Sequence, residues 1–323
     1  MVGRLLRIGV AVVLTALVLY WSHPSEILAA TAGADLRWLA LALGLVFVDR
    51  TLMAMRWIDL LVALAPGSRP PLGAVIRVFF TSSFVSNFVP SVASDLYRAY
   101  ALSRYDVHLA ESTASVLMDR ALGVLSVVLV VAAVLPFADG LAARRELIGV
   151  VAAVFAVCGV AAAVIYSERA AETVRRTAAA IPLKVLHRVT DALTDAVRRY
   201  ATHHSEMTRV LAMSVLVQVI RVLQGWCLGR ALGLELPLLT YFVFIPIIVL
   251  IMQVPITING LGTTQVAFRL FEMQGAPAPQ VFVFSVLFLA LGIVGTLPGG
   301  LFYAFGPERH GSRSHGVNGQ HGS

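Results

Sequence analysis

Charged and amide side chains stand where the surrounding chain is apolar, and their types suit the grip of an anion. The stretch VDRTLMAMRWIDLL carries Asp49, Arg50 and Arg56. FVSNFVPSVASDLYRAY carries Asn87, Ser91, Ser94, Asp95 and Arg98 around Pro90. SVLMDRALGV adds Asp119 and Arg120, and VQVIRVLQ adds Gln218, Arg221 and Gln224 at spacings that share one helical face. An ionisable group at bilayer depth costs about 2.5–3.5 kcal/mol on insertion scales, so each requires a partner or a purpose. Two accounts are open. In one, Asp49, Asp95 and Asp119 neutralise Arg50, Arg98 and Arg120 and merely fix helix packing. In the other, arginines face a polar cavity and bind an anionic head group. Guanidinium grips phosphate through two parallel hydrogen bonds and stays charged at any accessible pH. For Arg56, Arg98 and Arg221 the helical neighbours offer little acid (Asp59 and Asp95 are partial exceptions), which favours the second account.

Two Pro-broken segments must position these residues. The first runs LGAVIRVFFTSSFVSNFVP and then SVASDLYRAY; the second runs PLLTYFVFIPIIVLIMQVP and then ITINGLGTTQVAF. Proline removes a backbone donor, and a chain at membrane depth tolerates such a break only against protein or in a wet cavity. Asn259 adds a short polar side chain in the second break, and Gly260 and Gly262 would let backbone N–H groups approach a ligand. A helix starting after either break would aim its positive end at an anion. Paired broken segments in corresponding places of two halves are a pointer to a transporter site. The offset of 165 relates Pro90 to Pro255 and also Arg56 to Arg221.

The composition sets the class. Of 323 residues 58% are hydrophobic and only 13% charged, with mean hydropathy +0.83, far too apolar for a water-soluble domain. The expected fold is an all-α integral membrane protein with spans near 4–22, 36–62, 111–136, 146–166, 208–232 and 279–304. Two re-entrant hairpins at 73–105 and 237–275 complete an inverted repeat, and eight full spans are the alternative. The membrane domain covers 1–306, with halves 1–136 and 146–306, and 307–323 is a polar, Gly-rich, disordered tail. The N-terminal run resembles a signal peptide but reads as an uncleaved first helix, since many spans follow. Arg4 and Arg7 place the N-terminus in the cytoplasm by the positive-inside rule, and parity puts 167–207 there too. Leu183, Leu186, Val189, Leu193 and Val197 recur at helical spacing in that segment, fitting either an amphipathic helix on the inner leaflet or a solvated connector. Arg144 and Arg145 fall in a short outer loop and pull against this orientation.

The net charge of +7 marks cytoplasmic loops rather than a nucleic-acid surface. Cys158 and Cys227 sit in apolar stretches as small hydrophobes, and every histidine falls in a loop or the tail. No HExxH, GxSxG or P-loop occurs, so no cofactor, metal or enzymatic activity is expected.

At these residues the chain resembles the flippase-like transmembrane region of lysylphosphatidylglycerol synthases and its free-standing relatives. The resemblance runs from about residue 5 to 305. It rests on Arg50, Arg56 and Trp57; on Asn87, Pro90, Ser94, Asp95 and Arg98; on Asp119, Arg120 and Gly123; and on Asn259, Gly260, Gly262 and Gln265. Ala93-Ser94-Asp95 replaces the family's Gly-Gly-Asp, and Gln265 replaces an acid, which removes a charge from any coupling step. The resemblance implies movement of a lipid or lipid-linked head group between leaflets. The soluble aminoacyl-transferring domain of the synthases is not part of this sequence, which speaks against aminoacylation.

The resulting expectation is an inner-membrane protein moving an anionic phospholipid or polyprenyl-phosphate carrier. Arg56, Arg98, Arg120 and Arg221 bind phosphate, oriented by Asp95 and Asp119. One rival is an intramembrane lipid-phosphate transferase using Asp95 or Asp119 as base. Another is a scaffold that holds an envelope-synthesis enzyme through 167–207.

Overall fold

In a hydrocarbon environment every backbone polar group must be satisfied internally, and this overrides local preference. The Val-rich run VLSVVLVVAAV, which would favour a strand in a soluble protein, is helical here. The computed structural model of the chain describes residues 33–64, 71–137 (except 90, 104 and 106), 167–179, 198–253 and 263–305. It adds single positions 149, 156, 191, 194 and 195. Among these no strand occurs. The expected spans 4–22 and 146–166, the apolar stripe from Leu183 to Val197, and the tail 307–323 lie outside the described residues.

The helices are α1 (Leu36–Leu64), α2 (Leu72–Val85), α3 (Ser91–Ser103), α4 (Leu109–Val134), α5 (Glu168–Ala179), α6 (His204–Ala231), α7 (Leu238–Gln253), α8 (Thr263–Phe268), α9 (Ala278–Val294) and α10 (Leu297–Phe305). Four stretches are long and apolar enough to cross a membrane: Leu36–Ala63, Leu109–Phe137, His204–Ala231 and Ala278–Phe305. At about 1.5 Å per residue each exceeds the roughly 30 Å hydrocarbon layer. Their outward faces carry large apolar side chains, among them Leu41, Phe47, Met55, Leu216, Phe282 and Leu301. Such a surface suits lipid and would be an aggregation liability in water.

The two broken segments are pairs of short helices, as expected. In the first, α2 follows Pro71 and ends before Ser86, and α3 turns back to Ser103. In the second, α7 ends at Gln253, and α8 continues as a 3₁₀ turn over Arg269–Gln274 to a left-handed Gly275 at φ 86°. Neither arm of either pair is long enough to span.

One end of the molecule is fixed by polar ties. Tyr200 Oη donates to the Leu60 carbonyl (2.8 Å), Arg209 pairs with Asp59 (2.9 Å) and Arg199 with Glu111 (3.1 Å). Burial pushes the Tyr200 hydroxyl pKa up, so it remains a donor. At the opposite end, the Asp35 amide donates to the Ala231 carbonyl (3.0 Å). Hence α1 and α6 are antiparallel. The ends of the first pair pack against Trp57 and Leu61 through Val75, Phe79, Leu102 and Val107. The second pair opens the other way, where Tyr241, Phe244, Phe268, Phe271 and Phe284 form an aromatic core. The tips approach one another: Phe88 and Met252 both pack on Leu289 and Ile293. Pro90 and Pro255 themselves lie outside the described residues.

One expected span is interrupted. Helix α9 ends at Val294 and α10 begins at Leu297, with Gly295 and Thr296 between. Pro298 lacks the N–H that would bond back to Val294, which breaks the ladder there. Helix α10 then lies directly on α2, because Gly299 has no Cβ to strike the Phe80 carbonyl.

Of the segment 167–207, α5 is tied by exposed ion pairs and buries Ala171. Glu168 meets Arg198, Glu172 meets Arg176, and Arg175 meets Asp191 and Asp195. Hydrogen bonding to Arg198 holds the Glu168 carboxyl below its ordinary pKa.

Candidate functional site

The intramembrane charges converge on one cavity of about 270 Å³. Its lining comes from α1, α2, α3, α4, α6, α7 and α9, so all the long elements contribute. Asp49 and Arg50 lie near the midpoint of α1. Arg56 lies six residues on, about 9 Å towards the end tied by Tyr200.

Three ion-pair groups fill the cavity wall. In the first, Arg221 Nε donates to Asp49 Oδ1 at 2.9 Å, while Arg50 Nε stands 4.0 Å from Asp49 Oδ2. Arg50 also donates to the Gly292 carbonyl at 3.2 Å, and Gly295 beside it leaves room for the side chain. In the second, Arg56 Nε donates to Asp119 Oδ1 at 2.7 Å and Arg56 Nη1 to Ser214 Oγ at 3.1 Å. Arg98 Nη1 is 3.6 Å from the other oxygen, Asp119 Oδ2. In the third, Arg120 is bidentate on Asp95, at 3.0 and 3.1 Å. The Arg120 side chain is 40% exposed against 8% for Arg98, so this pair is the most open of the three.

Arg98 is held more by rings than by acid. Its guanidinium carbon lies 4.9 Å from the centres of both the Trp57 and Phe79 rings, and its Nε donates to Ser82 Oγ at 3.2 Å. Cation–π contact of this kind orients a guanidinium while leaving N–H donors available. Trp57 is fixed in turn by donation to Ser115 Oγ at 3.2 Å.

The pairing differs from the neighbour-on-neighbour scheme read from the sequence. Asp119 serves Arg56 and Arg98, not Arg120, and Asp95 serves Arg120, not Arg98. Asp119 and Arg120 are adjacent and point about 100° apart on their helix, so they do not face each other. Asp95 and Arg98 are one turn apart, but both oxygens of Asp95 are taken by Arg120 across the α3–α4 contact. Arg56 and Arg221, which had no strong acid at helical spacing, find one across a helix interface.

Two of these contacts share the 165-residue offset. Arg56 on α1 donates to Ser214 on α6, and Arg221 on α6 donates to Asp49 on α1. Residues 49 and 214 differ by that offset, as do 56 and 221. The same cross-contact therefore occurs twice, once from each helix.

Of the sequence-selected residues, Arg50, Arg56, Asn87, Ser94, Arg98, Asp119, Arg120 and Arg221 line the cavity, and Asp95 is bonded to its wall. Asn87 Nδ2 donates to Thr296 Oγ1 at 2.8 Å, joining the first tip to the break between α9 and α10. Gln265 on α8 is half-buried and is not part of the lining. Asn259, Gly260, Gly262 and the side chain of Ser91 lie outside the described residues. Ser82, Ser83, Ser86 and Thr296 also line the cavity and were not singled out from the sequence. The run Gly295-Thr296-Leu297-Pro298 was the available signal for Thr296. Asp49 does more than neutralise Arg50: it holds both Arg50 and Arg221.

Long apolar helices, two short broken pairs and a buried arginine-rich cavity define a multi-pass, all-helical membrane protein. The chain belongs to the family described as the lysylphosphatidylglycerol synthase TM region, whose family model matches residues 5–299. No curated protein and no solved structure matches it.

Proposed function

We propose that the protein translocates an anionic lipid, a phospholipid or a polyprenyl-phosphate-linked carrier, between leaflets of the cytoplasmic membrane, with its N-terminus inside. The observation that carries this reading is a buried cavity in which, among the described residues, cations outnumber acids. Arg98, braced by Trp57 and Phe79, lines it. A head group entering this space exchanges water for preset guanidinium, amide and hydroxyl donors, and the acyl chains remain in lipid. The half-exposed Arg120–Asp95 pair is where a phosphate first meets a donor, displacing one carboxylate oxygen. Movement across then follows from two opposed broken pairs around one site, an inverted repeat rocking about the α1–α6 contact.

The transferase alternative fits less well. Both oxygens of Asp119 face guanidiniums, and both of Asp95 accept from Arg120, so a substrate hydroxyl would compete with a guanidinium at either carboxylate. Native mass spectrometry of the protein released from mild detergent tests the reading. Retained anionic lipid is expected on the wild type and should be depleted at least tenfold in Arg98→Lys, which keeps charge but loses the planar fork. Equal retention by both would exclude the cavity as the head-group site.

A further inference from the structure

The described charges of the cavity do not balance. Arg120 and Asp95 neutralise each other. Arg50 and Arg221 share the single carboxylate of Asp49, and Arg56 and Arg98 share that of Asp119. Each of these two triplets carries one positive charge in excess, and guanidinium does not discharge itself by deprotonation. Residues 254–262, between the described arms of the second pair, read VPITINGLG and bring no ionisable side chain. An uncompensated charge in a low-dielectric site is expensive until an opposite charge arrives.

Unpaired polar atoms point the same way. Arg50 Nε and Gln224 Nε2 are buried donors with no hydrogen-bond partner, and both residues line the cavity. Gln224 is only 6% exposed. Gln218 Oε1, a buried acceptor of the same lining, is unpartnered as well. Buried polar groups in folded proteins are almost always paired, and beside two excess positive charges the two open donors call for an acceptor.

We propose that the occupant is a phosphomonoester lipid, one whose head ends in a terminal phosphate carrying close to two negative charges. This rests on reading the cavity as a phosphate head-group site, and it narrows the substrate class. A diester phosphate brings one charge and two free oxygens, which satisfies one triplet. A terminal phosphate brings nearly two charges and three acceptor oxygens, enough to meet both. A head group whose own ammonium cancels its phosphate charge would leave the excess unrelieved.

The test uses the full-length protein in nanodiscs, with phosphatidic acid and phosphatidylglycerol of identical acyl chains as probes, titrated at pH 8 and pH 5. At pH 8 phosphatidic acid should bind at least tenfold more tightly. The second ionisation of a phosphomonoester lies near pH 6, so the preference should shrink severalfold at pH 5. Phosphatidylglycerol has no such ionisation, and it reports any change in the protein itself. Arg50→Gln removes one excess charge and keeps the Asp49–Arg221 pair, so the monoester-over-diester preference should fall towards unity. Equal affinities at pH 8, or a preference untouched by pH and by Arg50→Gln, would overturn the monoester assignment and leave a general phosphate site standing. Failure of both lipids to bind would overturn the head-group reading as well.

Discussion

Asp119 ties two arginines from different helices, and removing its charge tests how far the cavity holds itself together. In Asp119→Asn, Arg56 and Arg98 would remain buried without their carboxylate. Breaking one side of a buried pair typically costs about 3–5 kcal/mol, and a large fall in the melting temperature of the detergent-solubilised protein is expected. Asp95→Asn should cost clearly less, because its partner Arg120 is 40% exposed and can turn to water. Equal losses in the two variants would contradict the assigned pairing. The charged residues themselves were legible in the sequence, since an arginine in an apolar run stands out. Their pairing was not, because it is set by which helix faces which. The serines were hidden for another reason: Ser82 and Ser83 both donate to the Phe79 carbonyl, the local bond that lets a hydroxyl pass unnoticed in an apolar helix.

At the level of elements, the two broken pairs open towards opposite ends, and this is directly measurable. Cysteines in place of Leu72 and Tyr105 should label from one face of the membrane, and cysteines in place of Leu238 and the exposed Gln274 from the other. Labelling of either couple from both faces would instead favour eight full crossings. The breaks were legible because proline and small polar residues interrupt an apolar run. The gap between α9 and α10 was missed because Gly295 and Pro298 lie within a run that is hydrophobic enough to read as one span. Close packing of α10 on α2 depends on Gly299, and a methyl group there would meet the Phe80 carbonyl. Gly299→Ala should therefore cost about 1–3 kcal/mol through forced separation of the two helices. A melting temperature equal to that of the wild type would show that α10 can shift freely.

For the whole molecule, the 165-residue offset found between two prolines and two arginines reappears as a pair of reciprocal contacts, Arg56 with Ser214 and Arg221 with Asp49. The offset was visible in the sequence, but its meaning depended on α1 and α6 lying antiparallel, which no local pattern encodes. The acid present at 49 is a serine at 214, so the two halves bear unequal charge, and Asp119 supplies what Arg56 would otherwise lack. The central claim is that the cavity carries a lipid head group across the membrane. Vesicles reconstituted with the protein and a trace of head-group-compatible, acyl-labelled anionic phospholipid test it, with a membrane-impermeant quencher added outside. With wild-type protein, quenching should proceed past the outer-leaflet share towards completion, and Arg98→Lys should slow that second phase at least tenfold. Quenching that halts at the outer-leaflet share in vesicles holding folded wild-type protein, or an unchanged second phase in Arg98→Lys, would contradict it.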